Sequence, residues 1–156
     1  MTEKELDKPP LQPKTKIYIP IFSESVRGKR FSLQGQNPGC GGTQYLSIKL
    51  GLMLADAYPD YQVNLVNDCQ IRLESPPENI FQVSAASVSE FLQTVDLPAS
   101  QYVLIAPRSL LQKVNRSIIA NFTAQTICWL HHPFDYDPYV RNLGLAAHVC
   151  VGAYQF

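Results

Sequence analysis

The feature that most constrains this chain is an alternation of short β-branched or aromatic runs with segments of helical spacing. "KIYIPIF" (16–22) reads as a first strand, with Pro20 suggesting an edge position or an irregular end. "QVNLVN" (62–67), "NIFQVS" (79–84), "YVLIA" (102–106), "QTICWL" (125–130) and "HVCVGA" (148–153) read as five more. The continuous apolar run of 102–106 suits a strand buried on both faces of a parallel sheet. Between the first two, Leu46, Leu50, Met53, Leu54 and Ala57 fall on one face at the 3.6 period, with Thr43 as N-cap and Pro59 as the stop. Ser87 and Glu90 have capping-box spacing. Leu110, Leu111, Val114, Ile118 and Ile119 form another helical stripe, and Asp137 followed by Pro138 opens a short helix.

Strand and helix alternating in this way predict βαβ crossovers, hence a doubly wound parallel sheet of Rossmann-like, three-layer α/β/α form. Such sheets bind ligands beyond the carboxyl ends of their strands. Three stretches qualify: the loop after the first strand, the end of "QTICWL" and the end of "HVCVGA".

With 156 residues, 46% of them hydrophobic and 17% charged, the chain can bury a core of one domain. The zero net charge gives no basis for nucleic-acid binding. The cysteines at 40, 69, 128 and 150 are scattered, without metal-ligand spacing, and suggest a reduced, cytoplasmic protein with no metal site or resident cofactor. Residues 1–15, polar and proline-rich without an apolar core, read as a disordered lead-in rather than a secretion signal. The remainder, 16–156, reads as the folded domain.

The loop before the first helix ends in "NPGCGGTQ", with Gly39, Gly41 and Gly42 set against the helix start. A helix N-terminus presents unpaired N–H groups and about half a positive charge, so glycines there allow an anion to reach the amides. The bland alternative is a tight turn entering a helix. The P-loop does not fit, because Gly42 is followed by Thr43 and Gln44 rather than Lys and Ser/Thr. The dinucleotide fingerprint starts at Gly39 and Gly41 but places Gln44 where a small residue is needed, and it lies far from its strand.

"NPGCGGTQYLSIKLGLMLADAYPDYQVNLV", followed later by "QTICWLHHPFD" and "LAAHVCVGAYQF", resembles the N-terminal domain of GT-B glycosyltransferases, most closely the large retaining family numbered four. The resemblance runs over most of the chain from Lys16 onward. It implies one half of a two-domain enzyme: an acceptor-side domain facing a donor-binding domain across a cleft, the latter absent here or supplied by a separate subunit. Gly39, Gly41, Gly42 and Thr43 match the loop that meets the phosphates of a nucleotide-sugar donor. His131 matches the histidine that reaches the reacting sugar, with His132 as the second catalytic candidate. The family's acidic donor-gripping motif has no counterpart, which implies an isolated chain that folds without turning over.

Arg27, Lys29 and Arg30 form a local basic cluster, which fits an anionic acceptor or a lipid headgroup at the inner face of a membrane as readily as a solvated loop. Adjacent His131 and His132 on an extended segment would point to opposite faces, which argues against a shared metal. Trp129 reads as core and His148 as structural. Two other functions stay open: a small NAD(P)-binding oxidoreductase, and a non-catalytic binding module on the same fold.

Overall fold

The computed structural model describes residues 15–95, 102–130 and 142–150. Six strands form one sheet: β1 (Lys16–Pro20), β3 (Gln62–Asn67), β5 (Ile80–Ser84), β6 (Tyr102–Pro107), β7 (Thr126–Leu130) and β8 (Ala147–Cys150). Their spatial order is β5-β3-β1-β6-β7-β8, and every described pairing in it is parallel. Counting only these six, the order is 3-2-1-4-5-6, the doubly wound arrangement whose direction of winding reverses at one point. That reversal lies between β1 and β6. Helices α1 (Gly42–Ala57), α2 (Val88–Thr94), α3 (Arg108–Leu111) and α4 (Arg116–Ile119) complete an α/β fold.

Alternate residues along each strand feed two cores. Ile17, Ile19, Val63 and Leu65 pack with Ile48, Leu52 and Ala55 of α1, whereas Tyr18, Leu104, Ala106 and Cys128 pack with Phe91, Leu92, Leu111 and Ile119. This is the period of two expected of strands buried on both faces. The phenols of Tyr18 and Tyr102 are pushed above their ordinary pKa by burial.

Several sequence expectations are corrected. β1 is a central strand, not an edge. Pro20 is tolerated because it ends the strand: pairing with β6 stops at Tyr18, and the next ladder donor to β3 is Ile21 N–H, 2.7 Å from Val66 O. The cap of α1 is Gly41, whose carbonyl accepts from Tyr45 N–H at 2.9 Å; Thr43 lies inside the helix. The buried face of α1 is Ser47, Ile48, Gly51, Leu52 and Ala55. Met53 is 56% exposed and Ala57 is exposed, while Leu50 and Leu54 only flank the core. Glycine at 51 and serine at 47 hid this face from a hydrophobicity count.

The stripe from Leu110 to Ile119 is broken into α3 and α4, because Asn115 caps the second: its Oδ1 accepts from Ser117 N–H at 3.0 Å. The loop after β1 is not featureless either. It holds a 3-10 turn (Glu24–Val26) and β2 (Arg30–Phe31), which pairs in parallel with β4 (Arg72–Leu73). The Ser87 cap holds as expected, with Glu90 N–H donating to Ser87 Oγ at 3.1 Å and Glu90 Oε2 accepting from Ala86 N–H at 2.6 Å. Trp129 is only partly buried, and His148 is exposed on β8. The lead-in up to residue 14, the helix at Asp137 and the strand beyond Cys150 lie outside the described residues. Among the described residues, no helix is long and apolar enough to cross a membrane.

Candidate functional site

The loop of residues 21–41 is built by side chains that satisfy its own backbone. Asn37 Oδ1 accepts from the N–H groups of Gly39 and Cys40, both at 2.9 Å, and Asn37 Nδ2 donates to Cys40 O at 3.1 Å. Lys29 Nζ donates to Gly39 O at 2.5 Å and to Pro38 O at 3.3 Å. Lys49, from the second turn of α1, donates to the carbonyls of Ser32, Leu33 and Gly35, while Tyr45 Oη donates to Gly35 O at 3.0 Å. Gly39 adopts φ +87°, a left-handed conformation that a side chain would strain.

These contacts deliver the chain to α1 with its first amides open. Gly41 N–H lies 3.4 Å from Ser25 Oγ. Among the described residues, the N–H groups of Gly42, Thr43 and Gln44 have no acceptor. A Cβ on Gly42 would meet nothing within 4 Å, so its backbone is open to approach. At Gly41 the Gln44 side chain, through its Oε1, folds over the position a Cβ would occupy.

The first turns of α1 face a crevice at the point where the sheet order reverses. It is lined by the carboxyl ends of β1 and β6, by Thr43, Gln44 and Ser47 of α1, and by Ser109 and Lys113 from the segment after β6. Its cavity volume is ≈ 70 Å³. A second hollow, lined by Ser87 and Ser89 at the start of α2, shares Phe22, Leu110 and Lys113 with it. Lys113 therefore stands where the two hollows meet. Among the described residues no carboxylate lines either, so their electrostatics favour an anionic or hydroxylated ligand.

The structure brings some of the sequence candidates together and separates others. Gly39, Gly41, Gly42 and Thr43 are adjacent at the start of α1, and Lys29 joins them by holding the loop carbonyls. Arg27 turns instead to Glu24, 2.8 Å away, and that hydrogen-bonded pair raises the Arg27 pKa further. Arg30 pairs with Glu74 across 3.5 Å. Both pairs are exposed, so each contributes little to stability. His131 and His132 follow β7 in the chain and lie outside the described residues. Cys40 sits beneath the glycine loop, where burial pushes its thiol pKa up. Cys40 and Cys69 are free thiols. Among the described residues, no group of three or more His, Cys, Asp or Glu side chains is placed to hold a metal ion.

Sequence reasoning passed over Ser47, Ser109 and Lys113. It selected the carboxyl ends of β1, β7 and β8, and missed that of β6, which the sheet places beside β1. Lys113, six residues beyond Pro107 at the end of the apolar strand β6, is the available signal once strand adjacency is known. Comparison with protein-family models, with curated proteins and with solved structures found no match to this chain.

Proposed function

We propose that this chain is the acceptor-side half of a GT-B type glycosyltransferase, and that the start of α1 meets the diphosphate of a nucleotide-sugar donor. The observation that carries the reading is the open first turn of α1 at the mouth of the switch-point crevice, with Gly42 unobstructed. Backbone amides fixed by the helix offset charge on a departing diphosphate without having to reorganise. Lys29 supports this role indirectly, by holding Pro38 and Gly39 in the approach to the helix.

In this reading His131 or His132 hydrogen-bonds a hydroxyl of the transferred sugar. Arg27 and Arg30 meet an anionic acceptor or headgroup at a membrane surface by exchanging their exposed carboxylate partners. A donor-binding domain or subunit supplies the remaining contacts, so the chain alone binds its donor weakly and does not turn over. The setting is cytoplasmic.

The 3-2-1-4-5-6 strand order favours a second reading, binding of NAD(P) by a small oxidoreductase. Against it stands the loop of residues 21–41, where a dinucleotide site has a tight turn directly after the first strand. Calorimetric titration separates the two. The glycosyltransferase reading expects UDP- or GDP-sugars to bind and NAD(P) not to, with Gly42→Asp weakening the nucleotide-sugar by ~tenfold or more through charge opposed to the helix terminus. Saturable NAD(P) binding without nucleotide-sugar binding would overturn it.

A further inference from the structure

Four polar residues are buried among the described residues: Ser47, Asn64, Asn67 and Thr126. Three have evident partners. Asn64 Nδ2 donates to Ile17 O at 3.3 Å, Asn67 Nδ2 to Leu65 O at 3.2 Å, and Thr126 Oγ1 to Phe122 O at 2.7 Å. Ser47 differs. It is 2% exposed, it lines the switch-point crevice, and its hydroxyl has no hydrogen bond among the described residues. Even the back-bond to the carbonyl one turn earlier, common for serine in a helix, is not made. The hydroxyl therefore keeps its capacity to donate for whatever occupies the crevice, solvent or ligand.

The opposite wall carries Lys113, whose ammonium has no ion pair or side-chain hydrogen bond among the described residues. Thr43 and Gln44, whose N–H groups are without an acceptor among the described residues, line the same space at the positive end of α1. Donors thus converge from one helix face, one helix terminus and one facing lysine, with no acid among the described lining residues.

We propose that this crevice is a phosphoryl-binding site in which Ser47 and Lys113 are binding residues. Ser47 Oγ donates from below, Lys113 Nζ from the side and the α1 amides from the end. The phosphoryl group has two sources of the same chemistry: the diphosphate of the donor or a phosphorylated acceptor. Naming these sources rests on the glycosyltransferase reading, whereas the site does not.

The test is calorimetric titration of the intact chain with pyrophosphate at low ionic strength. Saturable binding is expected, weakened ~tenfold by Lys113→Met and ~threefold or more by Ser47→Ala, and unchanged by Lys16→Met at the far end of β1. Lys113→Arg is expected to retain most of the affinity. Ser47→Ala removes an unpartnered polar atom without changing the fold's shape, so a purely structural serine would leave affinity unchanged. Competition between pyrophosphate and UDP assigns the group to the donor; simultaneous binding assigns it to the acceptor. Absence of binding up to ~10 mM, or equal binding by all variants, overturns the proposal. If nucleotide-sugar binding is lost in Gly42→Asp but kept in both Ser47→Ala and Lys113→Met, this proposal fails and the function reading survives. If pyrophosphate shows the expected variant pattern while nucleotide-sugars bind no better than pyrophosphate, the converse holds.

Discussion

A hydrogen in place of a methyl at position 51 sets how near α1 lies to the sheet. A Cβ there would come within 2.7 Å of Leu65 Cδ2 and 3.5 Å of Ile19 Cδ1, both on wholly buried side chains. Close approach is required of a helix whose terminus must reach the carboxyl end of β1, and position 51 supplies it where the dinucleotide fingerprint would use a glycine or alanine nearer the turn. Gly51→Val is expected to destabilise the fold by about 1–3 kcal/mol through overpacking, read as a lower urea midpoint. An unchanged midpoint would show that the interface relaxes freely. Ser47, one turn earlier on the same face, is the complementary case: small enough for the interface and polar toward the crevice.

At the scale of elements, the long connection between β1 and α1 behaves as a built structure. Its core anchors are Val26, Phe31 and Cys40, all buried, and its carbonyls are gathered by Lys29 and Lys49. Lys49→Met is expected to leave the carbonyls of Ser32, Leu33 and Gly35 without their shared donor and to cost about 1–3 kcal/mol. Hydrogen exchange at the Gly35 amide should then accelerate while exchange in β3 is retained; unchanged exchange in the loop would contradict this account of its order. Strand positions were legible in the sequence because β-branched runs carry their own signal, and 62–67 was read to the residue. The Ser87 and Glu90 cap was legible for the same reason, its chemistry being local. The inner face of α1 was not, since tertiary packing selected Gly51 and Ser47 over Met53. The break at Asn115 was also concealed, because an asparagine can cap a new turn in the middle of an apolar stripe. β2 and β4 pair across forty residues of chain with two residues each, too little pattern to register in a periodicity argument.

At the scale of the molecule, the crevice depends on adjacency that no local pattern encodes. The parallel α/β class followed from the alternation of elements, but the placement of β6 beside β1 follows only from the sheet order. That single adjacency turns the start of α1 and Lys113, distant in sequence, into two walls of one crevice. It also explains why the glycine loop was found from the sequence and its opposing wall was not. The opposite end of the sheet has a different character, with a hollow lined by Asp56, Glu78 and Phe81, and anions are not expected there.

On the glycosyltransferase reading, a nucleotide-sugar phosphate binds where α1 begins, between the carboxyl ends of β1 and β6. The most direct measurement is a titration of the isotope-labelled chain with a UDP-sugar, followed through its backbone amide resonances. Saturable shifts are expected at Gly41, Gly42, Thr43 and Gln44 together with Ser109 and Lys113, and none at Glu78 or Asn79. Shifts centred on Glu78 and Asn79, or no shifts at Gly42 and Thr43 at saturation, would contradict it.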